Sequence, residues 1–450
     1  MPTPPTISWS DLSGRRVGVW GLGVEGRASV RRLATLGVEP VLVDDRPPVG
    51  GGPGGLPVLA TGEGGLDALA GCDVVVKAPG ISRHRPEVAA LEAGGTAVTG
   101  GLALWLAGAD RSRVVCVTGT KGKSTTTAIA GHLAAGLGQR VATGGNLGTP
   151  PYDPDGPDPA AVDWWIIEVS SYQAADVAVS PPVVAVTSLH PDHLPWHGGD
   201  AETYYADKLA LCTRPGADLT VANGDSAELR ARRAQLGPRV EWVVLPPGGG
   251  GAVPVTDWTA GLGLLGAHNH RNALIARACL VAAGVPGAGD EAAVARAAGG
   301  FAHLDSRLTP VGTVDGVLCV DDSLSTNVLP TLAAVDAFPG RRVALIVGGQ
   351  DRGIDYRPLA DGLAGRGAPT LVVVTASEAA DRIRAAFPPG AGITACDDLF
   401  AAVRTAHAWA RPGGVVLLSP AAPSFDRFRD YRERAEVFRA AVMAVAQTER

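Results

Sequence analysis

Apolar runs alternate with helical patterns in the first part of the chain. The segment "RVGVWGLGVEGRASVRRLATLGVEPVLVDD" begins with a short apolar run, passes through a glycine-rich turn and ends in a second apolar run. Between the two runs, Val30, Leu33 and Leu36 recur at helical spacing, and Gly37 ends the pattern. This order predicts a strand, a helix and a strand, as in a parallel sheet.

The same order returns twice further along the chain. "RVVCVT" predicts a strand, "KSTTTAIAGHLAAGLG" a helix, and "DWWIIEVSSYQ" and "PPVVAVTSLHPDH" two more strands with polar ends. A third series contains the apolar runs of "RRVALIVGG", "TLVVVT" and "GGVVLLSP". We therefore expect an α/β protein of three domains, at residues 1–110, 111–304 and 305–450. Ligands of such sheets bind at the carboxyl ends of the strands.

Composition and charge limit the partners and the cellular location that we expect for this protein. The 450 residues carry a net charge of −6, whereas nucleic-acid binders more often present a basic face, so we expect no nucleic-acid partner. No run reaches about 18 apolar residues, which predicts no membrane span, and the first residues lack the apolar segment of a signal peptide. The scattered cysteines, none in a C-x-x-C pair, are typical of reduced and mostly buried thiols. We expect a cytoplasmic protein.

Two Pro- and Gly-rich segments, 149–159 and 246–254, have the composition of surface loops.

The segment "VTGTKGKSTTT" has the character of a phosphate-binding loop. A buried strand leads into the loop, and a helix follows it at once, so that backbone N–H groups and the helix N-terminus can hold an anion. In this pattern Lys123 reaches the β- and γ-phosphates of ATP, and Ser124 binds Mg²⁺. The usual first glycine is replaced by Val117, which leaves an ordinary glycine-rich turn as the alternative. The candidate nucleotide-binding residues are Gly119, Thr120, Lys121, Gly122, Lys123, Ser124 and Thr125.

An acidic residue and three histidines follow the next two predicted strands. Glu168 ends the apolar run "WWII", where a Mg²⁺ partner would offset the burial of its charge; a solvated strand-end acid is the alternative. "HPDHLPWHGG" contains His190, His193 and His197, whose spacing also permits zinc. No cysteine lies nearby, and a phosphate site favours oxygen-rich Mg²⁺ coordination, so we prefer one of these histidines beside a second Mg²⁺.

Two further patterns suggest nucleotide contacts. "GLGVEG", with Gly21, Gly23 and Gly26, and with Asp44 after the next strand, matches a dinucleotide-binding fingerprint, although this pattern alone is weak. It indicates that a diphosphate could bind there and does not specify NAD. In "GAHNHRNALIA", Asn269 and Asn272 are three residues apart and share a helix face, with helix capping as the alternative reading.

Taken together, these motifs resemble those of the Mur ligases, the ATP-dependent ligases that build the stem peptide of peptidoglycan. The resemblance extends over essentially the whole chain. It rests on the order and spacing of "GTKGKST", "EVSSYQ", "PDHLPWHG", "YYADKL", "GAHNHRNA", "DDSLSTN" and "SPAAPSFD". It implies a Rossmann-like N-terminal domain that binds the UDP-linked substrate, a central P-loop ATPase domain and a Rossmann-like C-terminal domain that binds glutamate.

The resemblance also assigns roles to single residues. Asn146, Glu168 and His193 would surround the substrate and two Mg²⁺ ions, with Lys123 as the ATP-loop lysine. Lys208 matches a lysine that family members carry as a carbamate, a ligand for the second Mg²⁺. The residues expected to contact ATP are Asn269, Asn272, Arg307 and Asp322. Those expected to hold the incoming glutamate are Thr326, Arg352, Ser424 and Tyr431.

The implied reaction belongs to the glutamate-adding branch. ATP would phosphorylate the carboxylate of UDP-N-acetylmuramoyl-L-alanine, and the glutamate amine would attack the acyl phosphate. The chain departs from the D-glutamate-adding members at Lys121, at Leu324, at Arg352 and in "APGISRHRP". These departures favour L-glutamate as the acceptor, with an epimerase acting on the product, and D-glutamate as the alternative. We expect a monomer.

Three other classes compete with this interpretation. A folylpolyglutamate-type ligase generally lacks a separate UDP-binding domain, so residues 1–110 argue against it. A nicotinamide oxidoreductase would leave the "GTKGKST" loop without a role. A non-catalytic nucleotide-binding regulator need not keep Glu168, His193 and Lys208 together with that loop.

Overall fold

The computed structural model describes residues 4–146, 148–245 and 257–448. The chain divides into two compact units. The first comprises Met1–Leu245, Thr256–Leu262 and Arg271–Gly300; the second comprises Pro246–Val255, Gly263–His270 and Phe301–Arg450. The first unit contains two sheets and the second contains one. The predicted α/β class is confirmed, while the three domain bounds stay a prediction.

The first sheet is parallel throughout, with the strand order β3-β2-β1-β4-β5. Its strands are β1 Val17–Trp20, β2 Val41–Asp44, β3 Val58–Ala60, β4 Val74–Lys77 and β5 Ala97–Gly100. The helices between and after them are α1 Val24–Thr35, α2 Leu66–Ala70, α3 Pro86–Ala93 and α4 Gly101–Gly108. Helix α1 is the one that the spacing of Val30 and Leu33 predicts, and both residues are buried.

The second sheet is also parallel, in the order β11-β10-β9-β6-β8-β7. Its strands are β6 Val114–Thr118, β7 Val141–Gly145, β8 Trp164–Glu168, β9 Val183–Val186, β10 Leu219–Asn223 and β11 Arg239–Val243. The helices of this stretch are α5 Lys123–Gly136, α6 Ser171–Ala174, α7 Ala201–Leu209, α8 Ala227–Ala231, α9 Asp257–Gly261, α10 Ala267–Ala283 and α11 Glu291–Ala298. Strand β6 lies between β8 and β9 and is buried along its length, which explains its unbroken apolar run.

The third sheet has the order β12-β13-β17-β14-β15-β16. Its strands are β12 Thr309–Val314, β13 Val317–Asp321, β14 Val343–Val347, β15 Thr370–Thr375, β16 Ile393–Cys396 and β17 Val415–Leu418. Only the β12–β13 pairing in this sheet is antiparallel, because a tight turn joins these two strands. The helices are α12 Val328–Val335, α13 Arg357–Ala364, α14 Ala380–Ala385, α15 Leu399–Ala410 and α16 Tyr431–Thr448.

One expectation about the loops is wrong in part. Segment 149–159 is not exposed throughout, because Pro151, Tyr152 and Asp153 are buried. The Tyr152 ring packs against Trp9 at a centroid distance of 5.1 Å, so an aromatic anchor fixes this Pro-rich segment to the first sheet's core. Segment 246–254 lies outside the described residues. Among the helices of the described residues, none combines the length and the apolar character needed to cross a membrane.

Candidate active site

The phosphate loop joins β6 to α5, as the sequence predicts. Helix α5 begins at Lys123, and Gly122 precedes it in the left-handed conformation, with φ 91°. A side chain at Gly122 would also collide with Asn272, because a Cβ there would lie 2.7 Å from Oδ1 of that residue. The backbone N–H groups of Thr120 and Lys121 donate to Ser188, so the loop after β9 braces the first half of the phosphate loop. This leaves the N–H groups at the start of α5 as the candidates for the predicted phosphate contact.

Two ammonium groups converge on one carbonyl of this loop. Nζ of Lys123 and Nζ of Lys208 each lie 3.0 Å from the Gly119 carbonyl oxygen. Lys208 is 2% exposed and lies over the Tyr204 ring. Burial, reinforced by the charge of Lys123, lowers the pKa of Lys208 well below its ordinary value. The structure thus brings two lysine side chains together beside the loop, and burial disfavours the charged form of Lys208.

Glu168 lies on the strand beside the loop, and within the described residues only one of its two carboxylate oxygens has a hydrogen-bond partner. Strand β8 pairs with β6 so that Glu168 stands next to Val117. The side chain is 2% exposed; Oε1 accepts a hydrogen bond of 2.7 Å from Asn146, while Oε2 has no partner among the described residues. A buried carboxylate oxygen without a partner is unfavourable, and a divalent cation would satisfy it. The buried carboxylate of Glu168 thus has the chemistry expected of the predicted Mg²⁺ ligand.

The three histidines after β9 have different environments. His193 adopts a left-handed conformation with φ 52°, is largely exposed and contacts Tyr172 edge-on at 5.5 Å. Burial of part of its ring lowers the pKa of His193, against the opposing effect of Asp192. His197 is fully buried between Asp207 and Ser171, whereas His190 is exposed. The alternative of a zinc site made of these three histidines therefore finds no support in their arrangement.

A cleft of about 460 Å³ opens over the glycine fingerprint in the same unit. It is lined by Gly21, Leu22, Gly23, Val24, Glu25, Asp44, Asp45, Ala78, Pro79, Gly80, Ile81, Gly145, Asn146 and Gly148. Gly26 permits the close approach of α1 to β1, since a Cβ there would lie 1.8 Å from the Gly21 carbonyl oxygen. Asp44 accepts hydrogen bonds from the N–H groups of Leu22 and Arg46 and so braces the glycine turn. The structure brings the fingerprint together with Asn146, as the predicted substrate site requires.

Sequence reasoning missed one acid of this cleft. Glu25 accepts hydrogen bonds from Nε2 of Gln173 at 2.7 Å and from the Tyr152 hydroxyl at 3.2 Å. Burial raises the pKa of Glu25 to about 7, against the lowering effect of these two hydrogen bonds. No sequence pattern signals this cluster, because Glu25 is more than 120 residues from both Tyr152 and Gln173, and Tyr152 lies in a segment with the composition of a loop.

Of the residues expected to contact ATP, Asn272 belongs to the first unit, and Asn269, Arg307 and Asp322 belong to the second. Asp322 follows β13, and burial raises its pKa to about 7, although Ser325, Ser419 and the Leu308 N–H donate to it. Asn269 donates to the Leu265 carbonyl oxygen at 2.9 Å, and Arg307 is half-buried. The assignment of these three residues and of Asn272 to ATP stays a prediction.

The residues expected to hold glutamate lie on loops and at a helix start. Ser424 is buried, Thr326 and Tyr431 are half-buried, and Arg352 is exposed. A cavity of about 360 Å³ opens nearby at the carboxyl ends of β14, β15 and β17, where Arg434 is 3% exposed. None of the four predicted residues lines this cavity, so their role in binding glutamate stays a prediction.

The parallel sheets and the loop between β6 and α5 define an α/β protein of the P-loop class. Two family models match the chain: the Mur ligase middle domain over residues 117–244, and the Mur ligase glutamate ligase domain over residues 306–422. The chain is 41% identical to the UDP-N-acetylmuramoyl-L-alanine–L-glutamate ligase of a Micromonospora species, over 97% of this chain and 98% of that protein. The enzyme of the same name from Xanthomonas axonopodis is 40% identical over 95% of both chains. This chain therefore belongs to the Mur ligase family.

Among solved structures, the chain is similar to the MurF ligase of Thermotoga maritima crystallised with ADP. The two share 17% of their residues, with a TM-score of 0.57 over 97% of this chain and 100% of that chain. At that identity the similarity concerns the fold alone, and it agrees with the α/β architecture.

Proposed function

We propose that this protein is a ligase that joins glutamate to UDP-N-acetylmuramoyl-L-alanine in an ATP-dependent step of peptidoglycan precursor synthesis. Relatives about 40% identical over nearly their full length are named for this reaction. The observation that carries the proposal is the charge arrangement at the phosphate loop: two lysines meet at the Gly119 carbonyl oxygen, and on the adjacent strand Glu168 keeps one buried oxygen without a partner among the described residues. A triphosphate would meet the charge of Lys123, and Mg²⁺ would meet Glu168.

The proposed reaction has two steps. A carboxylate oxygen of the alanine residue attacks the γ-phosphorus of ATP, which gives an acyl phosphate and ADP. The glutamate amine then attacks the acyl carbon, loses a proton and expels inorganic phosphate from a tetrahedral intermediate. Lys123 neutralises negative charge that develops during phosphoryl transfer. Closure over the acyl phosphate would exclude water, which would otherwise hydrolyse it.

Mg²⁺ and a carbamate complete the proposed site. Ser124, Glu168 and His193 would hold Mg²⁺, which neutralises phosphate charge. Lys208 is the candidate for carbamylation, because a neutral amine can add CO₂ and release a proton to give a carbamate anion. The burial of Lys208 next to Lys123 supports this proposal, since the carbamate would replace like-charge repulsion with attraction.

We propose L-glutamate as the acceptor, with D-glutamate as the alternative. Leu324 offers no charged donor in the loop after β13. Arg352 is exposed, with its guanidinium 5.9 Å from the centroid of the Phe425 ring, and Nε donates to Gln350. The planar guanidinium can bind a carboxylate from a different direction than an ammonium group can. The L-glutamate named in the relatives supports the same choice.

Phosphate release from ATP, measured with UDP-N-acetylmuramoyl-L-alanine and each glutamate enantiomer separately, tests the proposal. We expect release and a product of the added mass, with a higher kcat/KM for L-glutamate. A preference for D-glutamate would overturn the enantiomer assignment alone, whereas no release with either enantiomer would overturn the ligase assignment. NAD reduction serves as the control for the oxidoreductase alternative. A monomeric state and a partner epimerase remain part of the proposal.

A further inference from the structure

The loop after β4 forms one wall of the glycine cleft and is fixed to the loop that carries His193. Pro79 lines the cleft, and its carbonyl oxygen accepts a hydrogen bond of 2.9 Å from Nε1 of Trp196. Three residues further along, the Ser82 hydroxyl donates to the carbonyl oxygen of Trp196 at 2.5 Å. Trp196 therefore holds the cleft wall through both its side chain and its backbone.

Trp196 also contacts the surroundings of His193. Its indole stacks on the Tyr172 ring, with a centroid distance of 4.4 Å and an interplanar angle of 19°. Tyr172 in turn contacts the His193 ring edge-on at 5.5 Å. The short 3₁₀ helix Leu194–His197 begins directly after His193 and contains Trp196. The cleft wall is thus linked to His193 along the chain and across two ring contacts.

A cluster of His84, His197 and Asp207 holds the end of the 3₁₀ helix that contains Trp196. One oxygen of Asp207 lies 2.6 Å from Nε2 of His84 and 2.6 Å from Nδ1 of His197. Nε2 of His197 lies 3.1 Å from the Ser171 hydroxyl. Both nitrogen–oxygen distances at Asp207 are those of hydrogen bonds, so the cluster braces the loops against each other. Asp207 directly precedes Lys208, which places the brace beside the candidate catalytic lysine.

We propose that Trp196 is a positioning residue that couples occupancy of the glycine cleft by the UDP-linked substrate to the placement of His193 at the nucleotide site. The inference rests on the proposed function. A substrate diphosphate that orders the Pro79 loop would order Trp196, Tyr172 and His193 with it. By thermodynamic linkage, the substrate would then raise the affinity for the Mg²⁺-bound nucleotide, and the nucleotide would raise the affinity for the substrate by the same factor.

Trp196→Phe tests the coupling directly. Phenylalanine keeps a ring for Tyr172 and removes the N–H group that binds the Pro79 carbonyl oxygen. Calorimetry gives the Kd of UDP-N-acetylmuramoyl-L-alanine with and without a non-hydrolysable ATP analogue and Mg²⁺, and the ratio of the two values is the coupling factor. Loss of one neutral hydrogen bond corresponds to about fivefold, so we expect the variant's coupling factor to fall by about that amount. The Kd of the nucleotide alone should stay within about twofold of the wild-type value.

Two further variants make the result specific. Ser82→Ala removes the second hydrogen bond of the same link and should also lower the coupling factor. Trp242→Phe makes the same exchange at a half-buried tryptophan on β11, away from the cleft, and should leave the coupling factor unchanged. Thermal unfolding confirms that each variant is folded.

An unchanged coupling factor in both Trp196→Phe and Ser82→Ala, or a wild-type coupling factor of one, would overturn the inference while leaving the ligase assignment intact. Absence of substrate binding by the wild type would overturn the proposed function, and the inference with it.

Discussion

Replacing Glu168 with glutamine should separate folding stability from nucleotide binding. The exchange keeps the shape of the side chain and leaves an oxygen to accept the 2.7 Å hydrogen bond from Asn146. It removes the negative charge at Oε2, which is buried without a partner among the described residues. An unsatisfied buried polar group costs about 1–3 kcal/mol, and more when it is charged. The glutamine amide is also unpaired there but carries no charge, so we expect the ligand-free variant to be at least as stable as the wild type, with a gain on the order of 1 kcal/mol.

Glu168→Gln should bind the Mg²⁺-bound nucleotide more weakly than the wild type, although its folding stability should not fall. A hydrogen bond or contact to a charged group is worth about 1.5–3 kcal/mol, which corresponds to a loss of roughly 10- to 150-fold in affinity for the Mg²⁺-bound nucleotide. The rate of phosphate release should fall by about 10²-fold or more, since Glu168 would hold the Mg²⁺ that neutralises negative charge developing on the transferred phosphate.

Urea denaturation in the presence of a chelator measures the first effect. Calorimetric titration with a non-hydrolysable ATP analogue at several Mg²⁺ concentrations measures the second. Glu39→Gln makes the same exchange at an exposed position and should change neither quantity. If Glu168→Gln destabilises the ligand-free protein by several kcal/mol, or keeps the wild-type Mg²⁺ dependence, the proposed metal role of Glu168 is wrong.

Three further predictions concern charged groups of the first unit. Lys123→Ala should lower kcat for phosphate release by about 10²-fold or more, and near-normal turnover of the folded variant would contradict the ATP-loop assignment. Lys208→Ala should lose most activity and regain part of it with added short carboxylates; a ¹³C carbamate signal from the wild type, grown or incubated with labelled CO₂, should be absent from the variant. Because the pKa of Glu25 is raised from 4.5 to about 7, the folded protein retains a proton that the unfolded chain releases, so stability falls as pH rises through this window. Glu25→Gln should flatten that dependence in urea titrations at pH 5 to 8, by at most roughly 3 kcal/mol; an unchanged slope would show that another group carries it.

The α/β architecture follows from the sequence because parallel strands buried on both faces must be continuously apolar. The runs that become β6, β8 and β14 meet this requirement, and each is followed by a polar loop. The phosphate loop was predictable for a related reason: the strand, the glycines and the helix that form it are contiguous, so a local pattern carries the whole geometry. This pattern places Lys123 at the start of α5, whereas Glu168 is predicted from its place at the end of the apolar run of β8; the roles of both residues stay predictions.

Long-range partners could not be predicted from the sequence. His84 meets Asp207 across 123 residues, and Glu25 meets Gln173 across 148 residues. Such pairs depend on how the first sheet packs against the second. The hydrophobic periodicity of the individual segments does not encode that packing. Tyr152 shows the same limit, since its Pro-rich surroundings have the composition of an exposed loop, while its own ring is buried against Trp9.

Several groups of the candidate site are unfavourable for folding when each is considered separately. Nζ of Lys123 and Nζ of Lys208 approach one carbonyl oxygen, so that burial and the charge of Lys123 both disfavour the charged form of Lys208. One strand away, Glu168 has a buried carboxylate oxygen without a partner among the described residues. A sequence selected for folding alone would remove both defects, for example with a neutral side chain at each position. Lys123 lies at the start of α5, Lys208 in α7 and Glu168 at the end of β8. This arrangement would be explained by a phosphate that meets the charge of Lys123 and by a cation that meets Glu168 and a carbamate at Lys208.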